Sequence, residues 1–81
     1  MAKERKMEKI SKLIEIVAEA CEIEPQEVLR DKKIIEQPYW DSLAAITLSA
    51  LIDEHFNKTV DSDDYQKADT LQQLLSIIES K

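Results

Sequence analysis

The chain has 81 residues, 17 acidic and 11 basic, for a net charge of −6; this length is expected to form one domain over 1–81, with a core too modest to enclose a deep substrate pocket. The acidic balance disfavours nucleic acid, whose phosphates it repels, and favours partners with basic surfaces. Glycine is absent and Cys21 is the only cysteine, which excludes Gly-rich phosphate loops, the nucleophile elbow, the dinucleotide fingerprint, an internal disulfide and a cysteine-built metal site.

Residues 1–5 are charged, are not followed by a signal-type apolar stretch, and are expected to fray. No apolar run is long enough to span a bilayer. A reduced, cytoplasmic, monomeric protein with no membrane insertion is the expectation. The first helix is predicted from about Glu4 to Cys21, because Met7, Ile10, Ile14, Val17 and Cys21 recur at spacings of three and four. Leu13 and Ala20 widen that stripe, and Ile16 falls off it.

Pro25 disfavours helix at Glu24 and suits the first turn of a short new helix. Residues 30–38 read as a long connection, with Ile34 and Ile35 expected to tuck inward; connections of this length in small domains are uncommon and often functional. The second strong helix is predicted from about Ser42 to Asn57, capped by Asp41 or Ser42. Ala45, Leu48, Ile52 and Phe56 share one face, bordered by Leu51. Leu43, Ile46 and Ala50 form a second apolar strip. Either both strips are buried in a tight bundle, or the second borders a partner site or an acyl cavity.

A turn at 57–59 and an apolar plug at Val60 lead to an acidic helix start at 61–64, with a short helix through about Lys67. Asp69 and Thr70 cap the last helix, with Gln72 and Gln73 placed for a capping box. Leu71, Leu74, Leu75 and Ile78 give that helix its inward stripe. No strand pattern is present. The predicted fold is all-α: a bundle of three main helices plus one or two short ones, with a long loop between the first two main helices.

His55 is the sole histidine, and it lies along the same predicted helix as Ser42 at roughly 20 Å. A Ser-His-Asp triad is therefore excluded, and with it a small hydrolase built on Ser42. The acid pairs Asp53–Glu54 and Asp63–Asp64 point in diverging directions on a helix and read as solvated surface. Asp41-Ser42-Leu43 remains. Taken alone, Asp41-Ser42 is an ordinary helix cap.

In its setting, however, Asp41-Ser42-Leu43 resembles the modification site of the acyl carrier protein family, which lies at the start of the second helix. The likeness covers the first amphipathic helix, the long loop, the tripeptide, a helix ending in Asp53-Glu54-His55-Phe56, Val60 with its short acidic helix, and the capped helix from Thr70. It spans about residues 7–79. The resemblance implies a non-enzymatic carrier that holds acyl groups as thioesters on a 4′-phosphopantetheine arm. Ser42 would be the attachment point, loaded from coenzyme A by a phosphopantetheinyl transferase. Asp41 matches the family's preceding acid, as helix cap or transferase contact. Leu43 matches the apolar residue on which partners pack. The partners implied are acyl-transferring or condensing enzymes with basic or apolar docking patches, and the acyl thioester cargo itself. Ile46, Ala50, Trp40, Asp53 and Glu54 complete the expected partner-binding set.

Two departures stand out. Trp40, preceded by Tyr39, replaces the small residue usual before the Asp; its indole either stays exposed beside the arm or folds back to cap the bundle. Ala44, Ala45 and Thr47 occupy positions that are usually acidic. The expected docking face is thus more apolar than that of the general fatty-acid carrier, which points to a specialised polyketide-like, secondary-lipid or amino-acyl pathway. The competing reading is a helical interaction module without a prosthetic group, holding a partner through Leu43, Ile46 and Ala50. The bulk of Leu48, Ile52, Leu71 and Leu74 is compatible with an acyl chain held inside the bundle or left outside it.

Overall fold

The apolar sector of the first helix, α1 (Ala2–Cys21), is wider than one stripe because the helix lies against two others. The computed structural model describes the backbone of residues 2–81 and the side chains from Lys9 onward. Met7 lies outside the described side chains, and the backbone of residues 2–5, expected to fray, is helical and continuous with α1. Leu13, Val17, Ala20 and Cys21 are buried, while Ile10 and Ile14 are half-buried. Ile16, expected off the stripe, is only 3% exposed. The reason is that α1 packs on both the second and the last main helix, so a sector centred on Leu13, Ile16 and Val17 is covered.

With no glycine available, α1 ends on a left-handed glutamate. Glu22 has φ 59°. The Ile23 N–H donates to the Ala18 carbonyl at 3.0 Å and the Glu22 N–H to the Glu19 carbonyl at 3.3 Å, which is a Schellman termination. A residue with a Cβ is strained there. Glu22→Gly is therefore expected to raise stability by about 1 kcal/mol, read as a higher urea midpoint at unchanged slope.

The connection to the second main helix contains two 3-10 turns, Pro25–Glu27 and Ile34–Glu36. Pro25 opens the first, as its fixed φ and missing N–H suit it to do. In the second, Ile34 is fully buried, but Ile35, expected to tuck inward with it, is exposed. Neighbouring side chains in a 3-10 turn diverge by about 120°, so only one of the pair reaches the core. The loop is held by buried Gln37. Its side-chain amide donates to the Leu29 carbonyl at 2.7 Å, and its Oε1 accepts from the Leu29 N–H at 2.7 Å.

Helix α2 (Ser42–Phe56) buries Ala44, Leu48 and Ile52, spaced by four. Ala45 and Phe56 of the expected stripe are half-buried, so the inward face is rotated by one residue at its start. The second strip is not covered: Leu43 is 70% exposed and Ile46 68%, and Ala50 is exposed beside them. Asn57, left-handed at φ 58°, ends the helix.

Val60 plugs the core before α3 (Ser62–Lys67). Asp61 and Asp64 form a reciprocal capping box: the Asp64 N–H donates to Asp61 Oδ1 at 3.1 Å and the Asp61 N–H to Asp64 Oδ2 at 3.0 Å. Asp53, Glu54 and Asp63 are solvated as expected, but Asp64 is not. It is buried because its carboxylate serves the cap and also meets the Lys81 ammonium at 2.9 Å. That ammonium hydrogen bond, foremost, holds the Asp64 carboxyl below the usual carboxylate range. A depressed folded-state value stabilises the fold above the unfolded value, about pH 3.9, and the gain is lost as pH falls through the folded value. Asp64→Asn is expected to lower stability at pH 7, with the deficit shrinking in urea titrations near pH 3.

Helix α4 (Leu71–Glu79) buries Leu71, Leu74, Leu75 and Ile78. Thr70 Oγ1 accepts from the Gln73 N–H at 3.2 Å, and Gln73 Oε1 accepts from the Asp69 N–H at 2.7 Å. Gln73 thus supplies the returning bond of the cap, and Gln72 is exposed. The Leu71 N–H donates to the Arg30 carbonyl at 3.1 Å and fastens the long loop to this helix. The described residues are helical with no strand, as expected, and share one apolar core. Among the described residues, no helix is long and apolar enough to cross a membrane.

Candidate attachment site

Asp41 begins the site. Its backbone is extended at φ −152°, and its Oδ1 accepts from the Ala44 N–H at 2.8 Å. The Ala45 N–H donates to the Asp41 carbonyl at 3.0 Å, the first bond of the helix. Asp41 is therefore the cap, and Ser42 is the first helical residue. Ser42 is exposed. Its hydroxyl takes part in none of the described hydrogen bonds, and neither do the N–H groups of Ser42 and Leu43. Free N–H groups at the positive end of a fifteen-residue helix favour an anion covalently held on that hydroxyl.

Two clefts flank Ser42. One, about 360 Å³, runs between α2 and α3 and is bordered by Trp40, Asp41, Ser42, Ala45 and Tyr65. Trp40 folds back onto the bundle: its ring meets that of Tyr65 edge to face, centroids 5.5 Å apart at 82°. Its backbone N–H donates to the Gln37 carbonyl at 3.2 Å. The Tyr65 hydroxyl sits 2.6 Å from Ser49 Oγ. Burial, foremost, pushes the Tyr65 phenol up to about 12, so it stays protonated at any physiological pH.

The other cleft, about 580 Å³, lies between the end of α1 and the start of α2, where Glu19, Glu22 and Glu27 face Tyr39, Leu43 and Thr47. Tyr39 is 80% exposed and left-handed at φ 61°. Cys21 lines this cleft yet is buried; burial, then the nearby Asp41 carboxylate, pushes its thiol up. It is a protonated, unreactive thiol at neutral pH.

The predicted site residues separate into groups. Trp40, Asp41, Ser42 and Leu43 cluster at the start of α2, and Ile46 and Ala50 continue along its uncovered face. Asp53 and Glu54 are exposed but sit about 17 Å further along the helix. His55 is exposed in the last turn, equally remote. Tyr65, Ser49, Gln37 and the acids of the α1 end were not singled out from the sequence. Tyr65 alone carried a hint, as the one large ring in an otherwise polar six-residue helix. The others are joined to the site only by tertiary contact.

The start of α2 thus presents an exposed Ser42 beside a capping aspartate, Asp41. A family model described as "phosphopantetheine attachment site" matches residues 11–78, and the chain belongs to that family. It is an acyl-carrier-type domain, and the group it carries is a covalently attached 4′-phosphopantetheine. No curated protein matches the chain. The fit of the group is chemical: Ser42 is exposed, and the helix end offers N–H donors that take part in none of the described hydrogen bonds.

Proposed function

We propose that Ser42 is the attachment point and that the protein carries acyl groups as thioesters on the arm, presenting them to partner enzymes without catalysis of its own. The observation that supports this most is the exposed, unbonded Ser42 hydroxyl at the first turn of α2, beside two free N–H groups. The arm supplies a thiol that holds the acyl group. The chain's own residues would hold the phosphodiester: Asp41 keeps the helix end folded, and the Ser42 and Leu43 N–H groups would be the donors nearest the anion.

The row Leu43, Ile46 and Ala50 is the docking strip in this reading. Asp53 and Glu54 would meet basic groups at its far end. The modifying transferase and the acyl-handling enzymes would approach along this strip, in a cytoplasmic setting. Ala44, expected on the docking face, is turned into the core; because Ala45 and Thr47 stand in the first turns of α2 where charge would serve a basic synthase, we assign the chain to a specialised polyketide-like, lipid or amino-acyl pathway.

The test is incubation with coenzyme A and a broad-specificity phosphopantetheinyl transferase, followed by intact mass and peptide mapping. One added phosphopantetheine on the peptide containing Ser42 is expected. No gain, or a gain mapped elsewhere, overturns the assignment. Loaded protein offered to general fatty-acid enzymes is expected to elongate poorly; efficient elongation would refute the specialised pathway while leaving Ser42 in place.

A further inference from the structure

We infer that the groove between the end of α1 and the start of α2 docks an amphipathic helix of a protein partner, which sets arginines against Glu19, Glu22 and Glu27 while its apolar side covers Leu43. The inference rests on the reading of Leu43, Ile46 and Ala50 as a docking strip. It adds that the charge orienting the partner at the near end of that strip comes from α1 and the turn after it, and not from α2.

Among the described residues, four carboxylates border this groove of about 580 Å³, those of Glu19, Glu22, Glu27 and Asp41, and no basic side chain does. The bases of the following loop are turned elsewhere. Arg30 borders a separate cleft at the start of α4, and Lys33 pairs with Asp69 at 3.6 Å. The ion pairs of the described residues are Lys9–Glu79, Lys33–Asp69 and Lys81–Asp64, so the three groove glutamates enter none of them. The Glu19 and Glu22 carboxylates make none of the described hydrogen bonds, and that of Glu27 accepts only from the Glu24 N–H at 3.3 Å. The acids at the start of α3 are a different case. Asp64 meets Lys81 at 2.9 Å, and Asp61 accepts from the Asp64 N–H at 3.1 Å, so two of the three already serve the fold.

The groove suits a surface and not a small cation. No group of three or more described His, Cys, Asp or Glu side chains is placed to hold a metal ion. Carboxylates spread along a groove complement a partner that presents several spaced cations. The apolar side of the contact is Leu43, 70% exposed at the groove and continuous with Ile46 and Ala50 along α2. Such a row on a helix takes the ridge of another helix. Tyr39 stands at the rim with its ring exposed. An exposed ring among carboxylates favours arginine over lysine, because a guanidinium stacks on the ring while its fork meets a carboxylate.

Two residues of the groove, Glu22 and Tyr39, hold left-handed backbone at φ 59° and 61°. Both carry a Cβ that this conformation disfavours. Glycine would end α1 with less strain, but it would take a carboxylate from the groove. Stability and docking therefore pull against each other at Glu22, as they do where strain is kept at a contact site.

The probe is a synthetic amphipathic helical peptide with a leucine row and arginines along one flank, titrated into isotope-labelled protein at low salt. Amide shifts are expected to gather at residues 19–23, 27, 39 and 43–47. Replacing the peptide's arginines by glutamine should raise Kd about tenfold. Glu19→Gln with Glu27→Gln should raise it about fivefold, and Glu22→Gly about twofold in a protein no less stable than the parent. Asp53→Asn with Glu54→Gln should matter less than the Glu19 and Glu27 pair. Shifts confined to Leu43, Ile46 and Ala50, with Kd indifferent to the glutamates, overturn this inference and leave the strip standing. Equal affinity for an arginine peptide without the leucine row overturns it too, as does the absence of binding. Loading of Ser42 from coenzyme A, measured on the same protein, reports the carrier reading separately.

Discussion

Ser42→Ala is expected to abolish phosphopantetheine loading while leaving the fold as stable as before. These two halves separate an attachment point from a structural serine. Removing a cap or a buried hydroxyl costs stability, because a backbone donor or a polar partner is left unpaired. Ser42 holds neither role. The cap is Asp41, whose Oδ1 accepts from the Ala44 N–H at 2.8 Å, and the Ser42 hydroxyl makes none of the described hydrogen bonds. Alanine at the first position of a helix has favourable propensity, so the stability change should stay within about 0.5 kcal/mol. Denaturant titration checks this half. Mass spectrometry after transferase treatment checks the other, where the loss should be complete, because oxygen is the atom that forms the phosphodiester. Loading retained in this variant would place the arm elsewhere.

The second large effect belongs to a residue that touches no ligand. Gln37→Leu is expected to destabilise the protein by about 2–4 kcal/mol, because it strands two backbone groups at once. The Leu29 N–H and carbonyl each meet the Gln37 amide at 2.7 Å, and Gln37 is only 4% exposed. Leucine fills the space but pairs with neither. A domain of this size has roughly 4–12 kcal/mol in total, so the melting point should fall on the order of 10–20 °C. The loss should reach the site as well. Gln37 accepts the Trp40 N–H on its own carbonyl at 3.2 Å, so the loop that presents the indole is built on this residue. Thermal unfolding and Trp40 fluorescence, measured together, check both consequences. A variant as stable as the parent would show that water replaces the amide without cost.

Most of the helical frame was legible in the chain because it follows local rules. The stripe Leu71, Leu74, Leu75 and Ile78 is a helical period, and all four residues are buried. Asp41, Asp61 and Thr70 are capping residue types, and each caps as its type predicts. What failed depended on how elements meet. Ile16 was misplaced because one helix cannot reveal that it has two neighbours. Ile35 was misplaced because the turn type of the loop was not foreseen. Asp64 read as surface because its partner, Lys81, lies seventeen positions away. The site divides the same way. Asp41, Ser42 and Leu43 are contiguous and were legible, and the fold-back of Trp40 was one of the two outcomes open to it. Its stacking partner Tyr65 and the glutamates of the α1 end come together only through packing. The strip Leu43, Ile46 and Ala50 was visible as a pattern. Whether it was covered depended on the third dimension, and it is not.

That uncovered strip has a consequence for how the molecules behave in a crowd. Leu43 and Ile46 together form a greasy row that another copy could cover as readily as an enzyme could. The net charge of −6 acts against the first event and for the second. Identical copies repel one another before their rows can meet, whereas a surface carrying lysines and arginines is drawn in. The acidity of the chain thus acts as a filter on collisions. On the proposed docking role of this strip, it would let a sticky surface remain open, so that a carrier passing among several enzymes need not hide and re-expose it at each transfer.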